Sequence, residues 1–383
     1  MMHKINFYPV GNGDCSQIVL DNGKRILLDY RQHPNALDPT KPEINLSLSL
    51  KSELKAANRD NFDVVMFTHA DNDHIEGSTE FFELNHADKY QGEGRIKIDE
   101  LWVPAAMLLE EAENSKQSDE FIILRQEARY RLKKGSGIKV FSKPNELIEW
   151  MESVGIDPDT RSHLFIDAGT IVDTFNIDSD GVEFFCHSPY MKHCDDNGVT
   201  KEIRNEASLI FNIRFNYNGH IYDMLAVGDS TSEVLADIVN ITEYHGREDR
   251  LEWNLFNIPH HCSYLALAPD GEKGENITTP IDEVKKLLRY GKKNSYLVSS
   301  SKPINNDKEA YEQTQPPHVQ AKNTYVNYLE EVGGRKLFVT MEEPTRINPK
   351  PIKFEITAGG LSKVVAVTSG ASIAAAAAPN RAG

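Results

Sequence analysis

Six consecutive residues after a short, mostly apolar run contain four potential metal ligands. Residues 62–67, FDVVMF, form a run that is typical of a buried strand. The chain then continues as THADNDHIEG, which places His69, Asp71, Asp73 and His74 in one short loop. Because a loop after a buried strand can turn several side chains toward one point, this spacing predicts a metal site.

A helix cap is the simpler interpretation of the same motif. Asp71 or Asp73 could be the N-cap residue of a helix that begins in this loop, because a carboxylate accepts the free N–H groups of a first turn. A cap needs one acceptor, however, and the motif supplies two histidines beside two carboxylates. We therefore favour the metal site.

The order of apolar runs along the chain indicates an α/β fold. The first thirty residues alternate short strand-like runs with tight turns, and the pair Asn22-Gly23 between two of them is a strong hairpin signal. After residue 180, strand-like runs alternate with helical patterns, which suits two packed mixed sheets with outer helices, an αββα sandwich. Strands are expected near 182–186, 207–215, 221–227, 255–258, 295–299 and 336–340, and helices near 46–57, 232–244, 281–290 and 320–331.

Two segments differ in composition from the rest of the chain. Residues 105–160 are charged and helix-favouring and contain Gly135 and Gly137, so we predict a helical insertion that lies outside the sheets. Residues 366–383, which end in SIAAAAAPNRAG, have low complexity and are expected to form a flexible tail. A single domain that includes the insertion is therefore predicted over residues 1–365.

Charge and hydropathy limit the function classes and the location. The formal net charge of -16 argues against a protein that holds nucleic acid through a broad basic surface, because it repels phosphates at long range. It does not exclude a nuclease, since bound divalent cations cancel charge locally. The chain has no apolar run near the roughly 20 residues that cross a bilayer, no signal-peptide core at its start, and only four scattered cysteines. We expect a cytoplasmic protein without membrane contact.

Further candidate ligands stand at the ends of later strand-like runs. Asp229 ends the run YDMLAVGD, where a carboxylate can point out of a sheet edge, although it could instead cap the helix at 232–244. In NIPHHCSY, His260 and His261 are adjacent, and we expect one to bind metal and the other to contact substrate or supply a proton. His187, in FFCHSP, is either a further ligand or a hydrogen-bonded structural histidine.

The order of several short motifs resembles the metallo-β-lactamase superfamily. That superfamily marks its site with His-x-His-x-Asp-His after a buried strand, and this chain departs from the pattern at Asp71, which replaces the second histidine. The variant resembles the branch that contains the hydrolase domain of bacterial DNA-uptake competence proteins. The resemblance spans residues 5 to about 357 apart from the insertion. Its further segments, in the order of that branch, are residues 10–14, 26–29, 205–209, 228–229, 260–263 and 299–301, His318, and residues 339–340.

The resemblance implies a hydrolase that holds two divalent ions, either zinc or manganese, with magnesium as a further candidate. Two ions about 3.5–4 Å apart can share a bridging hydroxide and polarise a phosphoryl or carbonyl oxygen. We place His69 and Asp71 on the first ion, with His187 or Asn205 as its further ligand. Because Asp71 replaces a histidine, the first site is harder, which shifts its preference from zinc toward manganese or magnesium. The second ion takes the remaining candidates, which are Asp73, His74 and His260 or His261, with Asp229 as the bridge.

Three residues are candidates for substrate contacts. Asn205 could orient substrate if it does not bind metal, and Ser263 follows the histidine pair without the Gly-x-Ser-x-Gly turn of a nucleophilic serine. His318, which follows two prolines, could approach the cleft or lie on the surface. The turn at residues 11–13, GNG, is too short for a phosphate-binding motif, so we explain its glycines by turn geometry.

Three functions are compatible with these residues. The first is a two-metal phosphodiesterase or nuclease, with DNA as one candidate substrate, in which Asp73, His260 and His261 carry the catalytic roles. The second keeps the metal centre and acts on a small ester, lactone or nucleotide, which an acidic surface tolerates better. The third is a non-catalytic module that binds a protein partner through residues 105–160. Because every expected ligand type is present, we predict an enzyme.

Overall fold

Two mixed β-sheets pack face to face, and helices cover the outer surface of each sheet. The computed structural model describes residues 2–92, 94–110, 118–190 and 205–364. Within these residues the predicted α/β class, an αββα sandwich, is confirmed. The tail predicted at 366–383 and the domain boundary predicted at residue 365 lie outside the described residues.

The strands of the described residues include all six predicted after residue 180, each within a few residues of its predicted bounds. In chain order they are β1 (His3–Phe7), β2 (Ser16–Val19), β3 (Arg25–Leu28), β4 (Asn61–Met66), β5 (Lys97–Pro104), β6 (Ile138–Phe141), β7 (Phe165–Ile166), β8 (Val182–Ser188), β9 (Ile210–Tyr217), β10 (His220–Val227), β11 (Trp253–Ile258), β12 (Gly291–Ser299), β13 (Lys336–Val339), β14 (Ile352–Thr357) and β15 (Gly360–Lys363).

The helices are short, and none in the described part of the chain is both long and apolar enough to cross a membrane. Short 3-10 turns also occur, one of them at His260–Cys262 directly after β11. The α-helices are α1 (Leu46–Ala56), α2 (Asn72–Ile75), α3 (Ser78–Phe81), α4 (Ala105–Leu109), α5 (Asp119–Lys134), α6 (Asn145–Ser153), α7 (Ser232–Tyr244), α8 (Asp282–Arg289), α9 (Lys308–Glu312) and α10 (Val319–Glu331).

Parallel pairing gathers the carboxyl ends of neighbouring strands at one edge of each sheet. In the first sheet the described strands follow the order β15-β14-β1-β2-β3-β4-β5-β6-β7, and the pairs from β3 to β7 are parallel. In the second sheet the order is β13-β12-β11-β10-β9-β8, and the pairs from β10 to β13 are parallel. The loops after these strands therefore lie side by side, which is where open α/β sheets place their ligands.

An apolar layer between the two sheets fixes how their edges meet. Trp102 on β5 lies between them, with its ring centroid 5.2 Å from that of Phe184 on β8 and 5.8 Å from that of Phe211 on β9. All three side chains are buried. Burying one such side chain stabilises the fold by about 1.5–3 kcal/mol, so this layer holds the two sheets firmly together.

Strand β6 corrects the prediction that the whole of residues 105–160 lies outside the sheets. It pairs in parallel with β5, with Leu101 opposite Ile138, and it separates β5 from β7 in the first sheet. The strand was missed because its four residues, IKVF, carry too little periodicity to stand out between two helical patterns.

Helix α5, in the same segment, packs against the outer face of the first sheet. It begins after Ser118, whose side chain accepts a hydrogen bond from the backbone N–H of Phe121, and it ends at Gly135 in the left-handed conformation. Its apolar face includes Leu124 and Leu132, which are fully buried in the cluster between this sheet and its helices. The segment therefore belongs to the core of the domain.

Replacing Leu124 with alanine should lower the free energy of unfolding by about 2–5 kcal/mol, because the truncated side chain leaves a cavity in a packed layer. Tyr130→Ala, on the same helix at a position that is 38% exposed, is the matched control and should cost clearly less. Urea denaturation followed by circular dichroism measures both. Equal losses in the two variants would show that α5 does not contribute to the core.

Candidate metal centre

Loops after strands of both sheets meet at the candidate site. In the first sheet, Asp29 directly follows β3, and His69 follows β4 by three residues. In the second sheet, Asp229 follows β10 and His261 follows β11. The chain thus delivers side chains to one place from two sheets, which agrees with the sequence-based expectation for Asp229 at a strand end.

A compact group of buried ligands forms the centre of the site. One side-chain ligand atom from each of Asp14, His74, Asp229 and His261 lies within 4.8 Å of the others, and all four residues are buried. His74 Nε2 is 3.2 Å from Asp229 Oδ1, and His261 Nε2 is 3.4 Å from Asp229 Oδ2. Two imidazoles and two carboxylates at such distances match the donors that zinc and manganese take from proteins.

The carboxylate of Asp229 is the common neighbour of the predicted ligands. Besides His74 and His261, it lies close to His69, whose Nε2 is 4.0 Å from Oδ2, and to His260, whose Nε2 is 3.8 Å from the same oxygen. Four imidazoles therefore surround one buried carboxylate. This central position is the one that a bridging ligand between two ions requires.

Hydrogen bonds behind the site decide which nitrogen of each histidine faces Asp229. Thr68 donates its only hydroxyl proton to Asp29 Oδ2 at 2.7 Å, so the same hydroxyl accepts from His69 Nδ1 at 3.1 Å. The Nδ1–H of His74 donates to Asp29 Oδ2 at 2.8 Å. The Nδ1–H of His261 donates to the carbonyl oxygen of Ser300 at 2.9 Å.

These bonds leave Nε2 of His69, His74 and His261 as a lone-pair donor on the side of Asp229. The Nε2 atom of His69 is buried and has no hydrogen-bond partner among the described residues, and the same holds for Oδ1 of Asn205. An unpaired buried acceptor costs free energy, and a divalent cation would remove that cost. The residues present therefore fit a bound metal.

Electrostatics couple the central carboxylate to its histidines. Burial alone would raise the pKa of Asp229, but the charges of His261, His74 and His260 hold it well below its usual value. Conversely, burial would lower the pKa of His74, and Asp229 and Asp29 outweigh this effect and raise it well above the ordinary value. The buried carboxylates therefore favour positive charge at this centre, as a cation site requires.

Asp14 and Asp29 are members of the site that the residues alone did not single out. The backbone N–H of Asp14 donates to the carbonyl oxygen of Asp73 at 3.2 Å, which ties the first turn of the chain to the metal-binding loop. A Cβ atom on Gly13 would lie 2.7 Å from that same carbonyl oxygen, so only glycine permits this approach. The available signal for Asp29 was an acidic residue directly after a strand-like run, since the run RILLDY begins with the four residues of β3.

The turn after β11 holds the histidine pair in a strained conformation. His260, His261 and Cys262 have φ values of 50°, 51° and 67°, in the left-handed region that residues other than glycine rarely adopt. The backbone N–H of His318 donates to the carbonyl oxygen of Cys262 at 3.0 Å and helps to hold this turn. The two adjacent histidines of this turn differ in burial, since the side chain of His261 is 2% exposed and that of His260 is 17% exposed.

An open polar cleft with a volume of about 530 Å³ leads to the centre. It exposes the predicted ligands Asp71 and Asp73 and also the predicted substrate contact Asn205. His261 and His74 lie beneath its surface. The cleft is lined by Asn12, Arg31, His33, Asp71, Asn72, Asp73, Ser118, Asn205, Asp229, His260, Lys302 and Gln315.

The structure does not bring His187 to this cluster, which corrects its prediction as a ligand. Its Nε2 donates to the carbonyl oxygen of Arg250 at 3.0 Å, and its Nδ1 is 3.4 Å from the hydroxyl of Thr242. Burial lowers the pKa of His187 to about 4. It is the hydrogen-bonded structural histidine of the alternative interpretation, and Asn205 is left as the further candidate ligand of the first ion.

Two predicted substrate contacts lie behind the histidine turn rather than in the cleft. The hydroxyl of Ser263 accepts from the backbone N–H of Leu265 at 3.3 Å and caps a 3-10 turn. His318 is 1% exposed, so it is not a surface histidine, and its Nδ1 accepts from the backbone N–H of Tyr264 at 3.3 Å. Both side chains thus support the turn that presents His260 and His261.

No protein-family model and no curated protein matches this chain. Among solved structures it resembles a long-form RNase Z from yeast, at 13% identity and a TM-score of 0.40. That alignment covers 88% of this chain and 40% of the RNase Z, so the chain spans well under half of its length.

Two further likenesses are weaker. A diphosphatase of the PhnP family aligns over 93% of this chain and 98% of its own, at 10% identity and a TM-score of 0.32. A class B3 di-zinc metallo-β-lactamase from an Alaskan soil metagenome aligns over 70% of this chain and 83% of its own, at 13% identity and a TM-score of 0.31. None of the three is described as a DNA-uptake competence protein, so that resemblance stays a prediction. Likeness at this level assigns no activity.

Proposed function

We propose that this chain is a metal-dependent phosphodiesterase of the metallo-β-lactamase type, with two divalent ions held around Asp229. The observation that carries the proposal is the position of that carboxylate, within 4.0 Å of the Nε2 atoms of four histidines. A structural ion pair would need only one histidine near this carboxylate, and a helix cap would need none. A carboxylate shared by two cations would be surrounded in this way, by the ligating histidines of both ions and by a histidine on the substrate side.

Two sets of residues would hold the ions, one on each side of Asp229. His69, Asp71 and Asn205 suit the first ion, because an imidazole, a carboxylate and a carboxamide oxygen are accepted by zinc and manganese alike. The second ion takes Asp73 from the cleft wall and the buried histidines His74 and His261. When bound, such a pair polarises a phosphoryl oxygen and activates water for attack.

The protein's own groups orient the metal-binding histidines and supply a proton to the leaving oxygen. Asp29 and the Ser300 carbonyl group fix the rings of His74 and His261, so that Nε2 of each ring faces the site. Of the adjacent pair, His260 and not His261 lines the cleft, which suits it to the substrate side, where it can donate a proton to the leaving oxygen. The proposal therefore takes His261 as the metal ligand and His260 as the proton donor, a choice that the sequence left open.

A small-molecule ester or lactone hydrolase is the second candidate, because the net charge of -16 disfavours long nucleic acid. Basic side chains on the cleft wall, Arg31 and Lys302, favour a phosphate-bearing substrate over a neutral ester. A purely partner-binding module is disfavoured by the unpaired Nε2 of His69, which would serve no purpose without a cation.

A substrate and salt series tests the proposal. We expect the protein to hydrolyse bis-p-nitrophenyl phosphate when supplied with Mn²⁺ or Zn²⁺, and p-nitrophenyl acetate at least about tenfold less well in kcat/KM. The value for the small diester should barely change between about 50 and 200 mM salt, since few counterions are released. A nuclease that binds several phosphates through basic side chains should instead show a steep loss of kcat/KM on DNA as the salt concentration rises over that range.

Hydrolysis of carboxylic esters but not of phosphodiesters would contradict the proposed substrate class. Hydrolysis of the acetate or of a lactone, with no turnover of the phosphodiester at any metal concentration, would leave the metal centre standing and favour the second candidate. Absence of hydrolysis of every substrate by protein that carries metal would favour the non-catalytic module.

A further inference from the structure

We propose that Arg31, His33 and Lys302, called here the cationic rim, bind a second phosphate group of the substrate next to the phosphate held at the metal centre. The inference rests on the proposed function and narrows its substrate class to molecules with two neighbouring phosphates, such as a 5′-phosphorylated dinucleotide. All three side chains line the cleft that also exposes Asp73 and Asp229.

Within the described part of the chain, Lys302 is a lysine without an ion pair that lines the cleft. It is the third residue after β12, its side chain is exposed, and its ammonium group has no ion-pair partner among the described residues. Many other lysines of the described chain are paired with carboxylates, as Lys292 is with Asp223 at 2.9 Å. In a protein with a net charge of -16, an unpaired ammonium group at the mouth of a cleft is a natural anion-binding group.

The other two rim residues also keep donors free for a ligand. Arg31 uses its Nε atom to bind Glu76 Oε2 at 3.1 Å, and its two terminal nitrogens make no hydrogen bond within the described residues. His33 Nδ1 accepts from the backbone N–H of Asn35 at 3.1 Å. The neutral ring of His33 therefore carries its proton on Nε2, which can donate to a phosphate oxygen.

The short turn at residues 11–13 assembles the rim, which gives its glycines a role beyond turn geometry. A Cβ atom on Gly13 would lie 2.4 Å from Cδ of Arg31, and one on Gly11 would lie 3.3 Å from the ring of His33. Asn12 accepts from the backbone N–H of Lys302 at 2.8 Å and donates to the Pro316 carbonyl oxygen at 2.7 Å. The turn therefore packs against two rim residues and is hydrogen-bonded to the third.

Gathering these groups has an electrostatic cost that an anion would remove. Burial lowers the pKa of His33, and the nearby charges of Arg31 and Lys302 lower it further, although Glu43 and Glu76 oppose them. Arg31 and Lys302 are thus close enough to disfavour a positive charge on His33. A phosphate held between them would accept strong, charge-assisted hydrogen bonds from the guanidinium and ammonium groups and a neutral one from the His33 ring.

Binding of two nucleotides tests the rim without relying on turnover. Isothermal titration calorimetry compares thymidine 3′,5′-bisphosphate with thymidine 5′-monophosphate on the protein as purified. We expect the bisphosphate to bind at least about tenfold more tightly, and Lys302→Gln to remove most of that difference while changing the Kd of the monophosphate less than about twofold. Lys302→Arg should retain the preference, since it keeps the charge.

Lys308→Gln is the matched control, because it removes one positive charge from an 86% exposed lysine outside the cleft. If Lys302→Gln weakens both nucleotides equally, or if neither variant alters the preference, or if neither nucleotide binds at millimolar concentration, the rim is refuted. A Lys302-dependent preference in a protein that hydrolyses nothing would keep the rim and refute the phosphodiesterase. Hydrolysis of diesters without a Lys302-dependent preference would keep the phosphodiesterase and refute the rim.

Discussion

Replacing Asp229 with asparagine should reduce the hydrolysis of a phosphodiester by about three orders of magnitude, the largest loss expected for a single isosteric change. The side chain of Asp229 is 5% exposed. Its carboxylate lies within 4.0 Å of the Nε2 atoms of His69, His74, His260 and His261. An asparagine keeps the shape but removes the negative charge that two cations would share. Bound metal should therefore fall together with activity.

The measurements for Asp229→Asn are the metal content by mass spectrometry, kcat on bis-p-nitrophenyl phosphate, and the thermal unfolding midpoint. Asp60→Asn is the matched control, because the side chain of Asp60 is 70% exposed and pairs with Lys97 rather than with the site. This variant should behave like the original protein. If Asp229→Asn retained full activity with full metal content, the carboxylate would not be a bridge. A variant that loses its fold would show a lowered unfolding midpoint. In that case the conservative variant Asp229→Glu, which keeps the charge, tests the carboxylate instead.

Replacing Asp73 with alanine should abolish hydrolysis and lower the bound metal while leaving the fold intact, with a loss of several orders of magnitude in kcat. Asp73 Oδ2 lies 3.1 Å from His261 Nε2, so its carboxylate borders the same ligand group. Its side chain is 31% exposed in the cleft, and its removal leaves little cavity in the core. The expected effect is therefore on metal and chemistry rather than on stability.

Asp71→Ala provides an informative comparison for Asp73→Ala, because the two residues share a loop and a cleft. It should weaken only the first ion, so that metal content falls by about half and activity is restored in part by excess metal. An unchanged turnover number in Asp73→Ala would refute the assignment of Asp73. Equal behaviour of both variants would show that the two ions are not held by separate ligand sets.

The motif from His69 to His74 could be interpreted from the sequence because it lies in one loop after a buried strand, so that its geometry is local. Asp229 could be predicted for a related reason, since an acidic residue after an apolar strand stands at a sheet edge. The two-sheet class followed from the spacing of strand-like runs, and the strand positions agree within a few residues.

What could not be predicted depends on long-range packing or unusual backbone geometry. Adjacent residues such as His260 and His261 cannot be ranked from sequence, because the left-handed turn that separates their directions is not encoded in their side chains. His187 has the composition of a strand-end ligand, and only the positions of Arg250 and Thr242 show that its nitrogens are used elsewhere. Lys302 lies in a loop 290 residues from Asn12 along the chain, and only the hydrogen bond between the two residues shows that both belong to the cleft.

The number of divalent ions bound per chain tests the account most directly. Protein freed of metal by a chelator is dialysed against limiting Mn²⁺ or Zn²⁺, and bound metal and phosphodiester hydrolysis are measured on the same samples. We expect saturation at two ions per chain, with activity that rises as the second ion binds. A folded protein that binds no divalent ion at micromolar free metal, or that hydrolyses phosphodiesters equally well without metal, would contradict the account.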